Sequence, residues 1–313
     1  MLLEFALTVA VLWMLVAGTI ELGRMVAAGH LIQGAARTGA RALALEPTPV
    51  DATFEAALEM VFDPDYLVVD VDACHALGLS VTELARGDDA AGRAGLPILN
   101  RRLLPLMIRE DRELDGGLRR LLRYPGTLVR HREPPDPDDK PCATAYTVAV
   151  PELRSEGGST AVCWHRVVEE LGAGVEGPSR FSLACVSSDC GLAGLEVRYP
   201  FQSAAFPAWR DTGAVLPDGR PVHRVAAWNE GAPGERIDDA VGGGAEGCLD
   251  LAGALGADAR LGVLGETTSL VDPYGGALGL GSLRVLPQIA SGPSRAYRKV
   301  LTGSALYPRE GFL

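Results

Sequence analysis

The feature that most constrains this chain is the stretch from Phe5 to Ile20, FALTVAVLWMLVAGTI, which contains no charged residue. As a helix it would rise about 24 Å, slightly short of the ~30 Å hydrocarbon core of a bilayer. Leu2 and Leu3 lengthen it, but Glu4 stands between them and the rest. A carboxylate beside such a run is costly unless it is paired or held at the membrane interface. A secretory signal is the competing reading: Val16-Ala17-Gly18 has the small residues of a cleavage site, yet the start carries no basic residue.

The helical pattern continues to about Leu45. His30, Gln33, Arg37 and Arg41 are spaced by three, four and four, which places them on one helix face. Met25, Ile32 and Leu43, with Ala28, Ala36 and Ala40 between them, line another. Glycine recurs at Gly18, Gly23, Gly29, Gly34 and Gly39. Each glycine costs a helix about 1 kcal/mol, so packing or lipid must offset it, and small residues do let membrane helices approach closely. Glu46-Pro47 and Pro49 end the pattern.

Three pieces of this segment, in order, carry a resemblance: Glu4-Phe5-Ala6-Leu7, Glu21-Leu22-Gly23-Arg24 and Ala35-Ala36-Arg37-Thr38-Gly39-Ala40-Arg41. Together they resemble the TadE-like family, pseudopilins of the tight-adherence (Tad) pilus that are related in outline to type IV pilins. Val197-Arg198-Tyr199-Pro200-Phe201-Gln202 is similar, more weakly, to a later segment of such proteins. The resemblance covers about the first 45 residues. It implies a minor pilin or pseudopilin with a single transmembrane helix in a bacterial inner membrane, its N-terminus cytoplasmic and its bulk periplasmic or extracellular. The implied partners are the lipid bilayer, other pilin-like subunits and the inner-membrane assembly platform, with a prepilin peptidase if the true start lies upstream. Glu4 and Phe5 are then the processing and assembly residues. Family members look like substrates of a peptidase that cuts after a glycine five residues before the glutamate, and the new amine pairs with a neighbour's glutamate. In a bilayer such a pair sets register more than it adds stability. Glu21, Gly23, Arg24, Arg37, Gly39 and Arg41 are the residues the resemblance assigns to helix packing. One departure stands out, because no glycine and no basic leader precede Glu4. On the peptidase reading, a glycine is encoded two codons before Met1, with Lys or Arg further upstream. Any other residue there removes prepilin processing.

The chain as a whole is acidic, with formal net charge −11 and no long basic run. That excludes nucleic acid as the main partner and reads as solubility. Cys74, Cys142, Cys163, Cys185, Cys190 and Cys248 all lie beyond the apolar segment. An even number there fits an oxidising compartment and up to three disulfides, with the pairing left open by sequence. Cys185 and Cys190 are the easiest to close locally. Cys74-His75 and Cys163-Trp164-His165, with Cys185 and Cys190, have the ligand types of a zinc site but not its spacing, so disulfides are the preferred reading.

The expected fold is α+β: a long N-terminal transmembrane helix (1–46), a mainly helical region (47–130), a Pro/Asp-rich linker (131–141) and an antiparallel β-rich head with Gly-rich loops (142–313). Ile98 to Leu122 reads as two or three short amphipathic helices. Arg119, Arg120, Arg123, Arg130 and Arg132 would then form a solvated helix face. Strands are expected at Thr144–Val150, Thr160–Val168, Phe181–Val186, Leu195–Tyr199 and Val222–Ala227, with one or two more after about residue 230.

Little points to chemistry. Gly172 to Gly177 matches G-x-G-x-x-G, but Pro178 follows where a helix would be needed, so it reads as a turn. Asp136, Asp138 and Asp139 lack the glycine turn and closing glutamate of a calcium loop. Asp70 and Asp72 would share one face of a strand, as a solvent-facing edge. No G-x-S-x-G, H-E-x-x-H or Walker A motif is present, and no catalytic residue, cofactor or metal is expected. The rival readings are a membrane-tethered envelope binding domain outside any filament, and an anchored envelope hydrolase.

Overall fold

The computed structural model describes residues 2–82, 95–114, 117–130, 135–156, 159–172, 181–183, 191–208, 248–250 and 295–309. The expected strand at 222–227, Cys185, Cys190 and most of the glycine motif after Gly172 lie outside the described residues. A single helix, α1 (Leu2–Leu45), runs about 66 Å and stops just before Glu46-Pro47. Short helices follow among the described residues, including α2 (Phe54–Leu58), α3 (Val71–Ala76) and α4 (Ile98–Leu103). Thr53 caps α2, its hydroxyl accepting from the Ala56 amide.

The described strands are β1 (Val68–Asp70), β2 (Ile108–Leu114), β3 (Gly117–Arg123), β4 (Thr127–Arg130), β5 (Tyr146–Glu156), β6 (Ser159–Arg166), β7 (Val168–Glu170), β8 (Leu192–Ala208), β9 (Cys248–Asp250) and β10 (Arg295–Pro308). They form three antiparallel sheets, ordered β1-β3-β2, β10-β8-β7 and β4-β5-β6-β9. The fold is α+β, with the long apolar helix first and antiparallel sheets with short helices after it.

The main core forms where α1 lies on the β8–β10 ribbon. Ile32, Ala36, Ala40 and Leu43 are fully buried there with Leu195, Val197, Leu99 and Tyr124. Large aliphatic side chains such as Ile32 and Leu43 each contribute about 1.5–3 kcal/mol by leaving water, enough to offset the helix's glycines. A smaller core joins Tyr66, Val69, Leu96 and Leu122 around a disulfide between Cys74 and Cys142. That bond also takes Cys74 out of any zinc set.

Residues 108–130 differ from the expected amphipathic helices. Among the described residues of 98–130, only α4 and a 3₁₀ turn at Leu104–Leu106 are helical; β2 and β3 then form a hairpin whose register pairs Leu114 with Gly117, with Asp115-Gly116 between them in sequence. Asp-Gly is a strong hairpin-turn signal, and here it outweighs the helix propensity of the Arg, Glu and Leu around it. Arg119, Arg120 and Arg123 consequently lie on β3 and Arg130 on β4 rather than on a helix face, and Arg132 lies outside the described residues. Arg119 pairs with Asp70 at 2.6 Å and Arg120 with Asp72 at 2.5 Å, while Arg123, 1% exposed, pairs with Glu110.

Asp70 and Asp72 are likewise not a strand-edge pair. Asp70 is the buried last residue of β1, and its carboxylate caps α3 by accepting from the Ala73 amide. Asp72 lies in the first turn of α3. Phe181 is buried outside any strand, and Leu183 donates its amide to the Val50 carbonyl. The Pro/Asp-rich stretch is tied down where it is described, since Lys140 bridges Asp63 at 2.7 Å and Asp65 at 2.6 Å.

Candidate assembly site on the N-terminal helix

The sheet divides α1 into two parts. From Ala17 onward a stripe at helical spacing is buried: Ala17, Glu21, Ala28, Ile32, Ala35, Ala36, Ala40 and Leu43. Before Ala17 the described side chains are exposed, among them Phe5 (69%), Leu12, Trp13 (56%), Met14 and Leu15. So large a continuous apolar surface is not left to water by a soluble monomer. By length and composition, Val11–Leu45 is long and apolar enough to cross a membrane.

The strands lie along the helix. Arg24 sits over the ring of Phe201 at 5.7 Å, and Gly39 abuts Leu195. Between Arg24 and Gly39 the helix rises about 22 Å, and between Phe201 and Leu195 the strand covers about 20 Å. β8 therefore runs opposite to α1 and β10 runs with it. The contact is closest at Gly303, where a Cβ would fall 2.7 Å from Ile32 Cγ2 and 2.8 Å from its backbone carbonyl. Beside it the Gln33 side chain bonds the edge of β10. Its Nε2 donates to the Ser304 carbonyl at 2.7 Å, and its Oε1 accepts from the Ser304 amide at 3.4 Å.

Residues 1–41 match the family model of TadE-like proteins. No curated protein and no solved structure matches the chain. The TadE-like segment is thus α1 itself, and its matched positions fall into two groups. Glu21, Arg24 and Gly39 face the head's own sheet. Glu21 is 4% exposed and bridges Arg24 at 2.6 Å. A Cβ on Gly39 would meet Leu99 at 3.2 Å and Leu195 at 3.3 Å. Glu4, Phe5, Gly23, Arg37 and Arg41 lie on the outward surface, and the space beside Gly23 is open. Glu4 stands in the first turn of α1, and its backbone carbonyl accepts from the Thr8 hydroxyl at 2.8 Å.

Two anchoring residues escaped sequence reasoning. In sequence Gln33 falls on the polar face of the helix, and nothing local announces a partner 271 positions away. Arg309 closes the top of α1. Its guanidinium donates to the carbonyls of Phe181, Thr48 and Pro49 and to the Thr48 hydroxyl, and stacks on Phe181 at 4.2 Å. Burial lowers its basicity. Among the described residues, no group of three or more His, Cys, Asp or Glu side chains converges as a metal site would require.

Proposed function

We propose that the chain is a minor pilin or pseudopilin of a Tad-type, type IV-like pilus or secretion system. It sits in a bacterial inner membrane with its N-terminus cytoplasmic and its bulk outside. The observation that supports this reading is that the TadE-like match coincides with a helix apolar and exposed before Ala17 and docked into the head after it. The exposed half enters lipid and meets the helices of other pilin-like subunits, with the assembly platform as the inner-membrane partner. Glu4 and Phe5 act at that end. Gly23, Arg37 and Arg41 lie on the outward face where a neighbouring helix would lie. The docked half, with Glu21, Arg24 and Gly39, holds the head on the helix in one fixed orientation.

The test is deletion of the gene in the source cell, together with affinity purification of the full chain from membranes. Loss of surface pili and copurification of other pilin-like subunits is the expected result. Normal piliation with no such subunit recovered would leave a tethered envelope domain. Replacing Glu4 by Leu probes the assembly role: copurification should fall at least about tenfold, the effect of about 1.4 kcal/mol, with the head's stability unchanged.

A further inference from the structure

We infer that Cys163 and Cys248 form a disulfide that fastens β9 to the edge of β6. The register of the β6–β9 pair places these two residues directly opposite each other, with Val162 opposite Leu249 and Ala161 opposite Asp250. Directly opposed positions of an antiparallel pair share a face of the sheet, with Cα atoms about 4.5 or 5.5 Å apart depending on the hydrogen-bonding site. Both spacings fall inside the roughly 4.4–6.8 Å window that a disulfide requires. The other cysteines sharpen the assignment. Cys74 and Cys142 are already joined, so four cysteines remain. Of these, the register brings Cys163 and Cys248 together.

The bond also accounts for β9 itself. It is a three-residue strand at a sheet edge, and it is the described portion of the chain between β8 and β10. Three residue pairs are a small return for closing a loop of about 85 residues, whose closure entropy must be met each time the strand docks. A covalent link at the Cys163–Cys248 position removes that recurring penalty.

The chemistry is thiol–disulfide exchange with a protein or small-molecule disulfide as oxidant. One cysteine of the pair, as thiolate, attacks that disulfide and forms a mixed disulfide, releasing one thiolate. The second cysteine then attacks the sulfur of the first and releases the other thiolate. The pair loses two protons and two electrons, and the oxidant's disulfide is reduced to two thiols. The inference rests on the extracytoplasmic placement of the head, where such oxidants persist.

The experiment uses the full-length protein in membranes of the source cell, alkylated before lysis, digested without reduction and mapped by mass spectrometry. The expected product is a Cys163 peptide joined to a Cys248 peptide, two hydrogens lighter than the separate peptides and resolved into them by reductant. Cys74–Cys142 reports the compartment independently. If that bond is found while Cys163 is alkylated or joined to Cys185 or Cys190, the inference is overturned and the placement stands. If all six cysteines are alkylated, the extracytoplasmic placement fails and the inference fails with it.

Discussion

Gly303 is the position least able to change. An added methyl would press on the Ile32 backbone as well as its side chain, and a helix carbonyl already engaged in the α1 ladder cannot yield as a side chain can. Gly303→Ala should therefore lower the stability of the detergent-solubilised chain by about 1–3 kcal/mol. Gly23→Ala, with open space beside it, should raise it by up to about 1 kcal/mol. Thermal unfolding followed by circular dichroism distinguishes the two, and equal losses would contradict the docking of α1 on β10. Gly23→Ala also tests the proposed outer face, because a helix-packing role predicts impaired assembly from a protein that is more stable. At Tyr66, burial first and then the Asp63 carboxylate push the phenol from its ordinary value of 10.0 up to about 12, with Lys140 opposing. The folded chain thus keeps a proton that the unfolded chain has lost, so stability should fall as pH rises from about 10 to about 12. Tyr66→Phe should flatten that decline in denaturant titrations across the same range.

The elements were legible in unequal measure. α1, its end at Leu45 and its buried face could be read because Ile32, Ala36, Ala40 and Leu43 recur with the helical period. The β2–β3 hairpin was hidden because Arg, Glu and Asp occupy both of its faces, held by cross-links to Asp70, Asp72 and Glu110 rather than by alternation of apolar and polar residues. The partners of Gln33 and Arg309 are distant in sequence, so no local pattern could supply them. The outward positions of Glu4, Arg37 and Arg41 were readable as polar residues on a helix, but which of the matched residues would turn inward depended on a sheet formed by strands far along the chain. A consequence for α1 follows. A chain lacking residues 1–45 loses its core helix, whereas one beginning at Ala17 keeps the buried stripe. The longer fragment should show a cooperative unfolding transition and the shorter none, as measured by near-ultraviolet circular dichroism.

Across the whole molecule, the Cys74–Cys142 disulfide joins chain on either side of the segment that reads as a linker, and the Lys140 bridges tie that segment itself to Asp63 and Asp65. With its ends 68 positions apart in sequence, the bond should contribute about 4 kcal/mol on the chain-entropy account. Replacing both cysteines with alanine should shift the denaturant midpoint accordingly, and a loss below about 1 kcal/mol would show that the tie is dispensable. The seam between α1 and the β8–β10 ribbon has a mechanical consequence. Because the strands lie along the helix, a pull on the membrane end of α1 loads the seam in shear, so that Ile32 against Gly303, Gln33 against Ser304 and Arg24 against Phe201 resist together. A sideways force would instead peel these contacts apart one at a time. The molecule is accordingly strong in tension along its helix and weak across it.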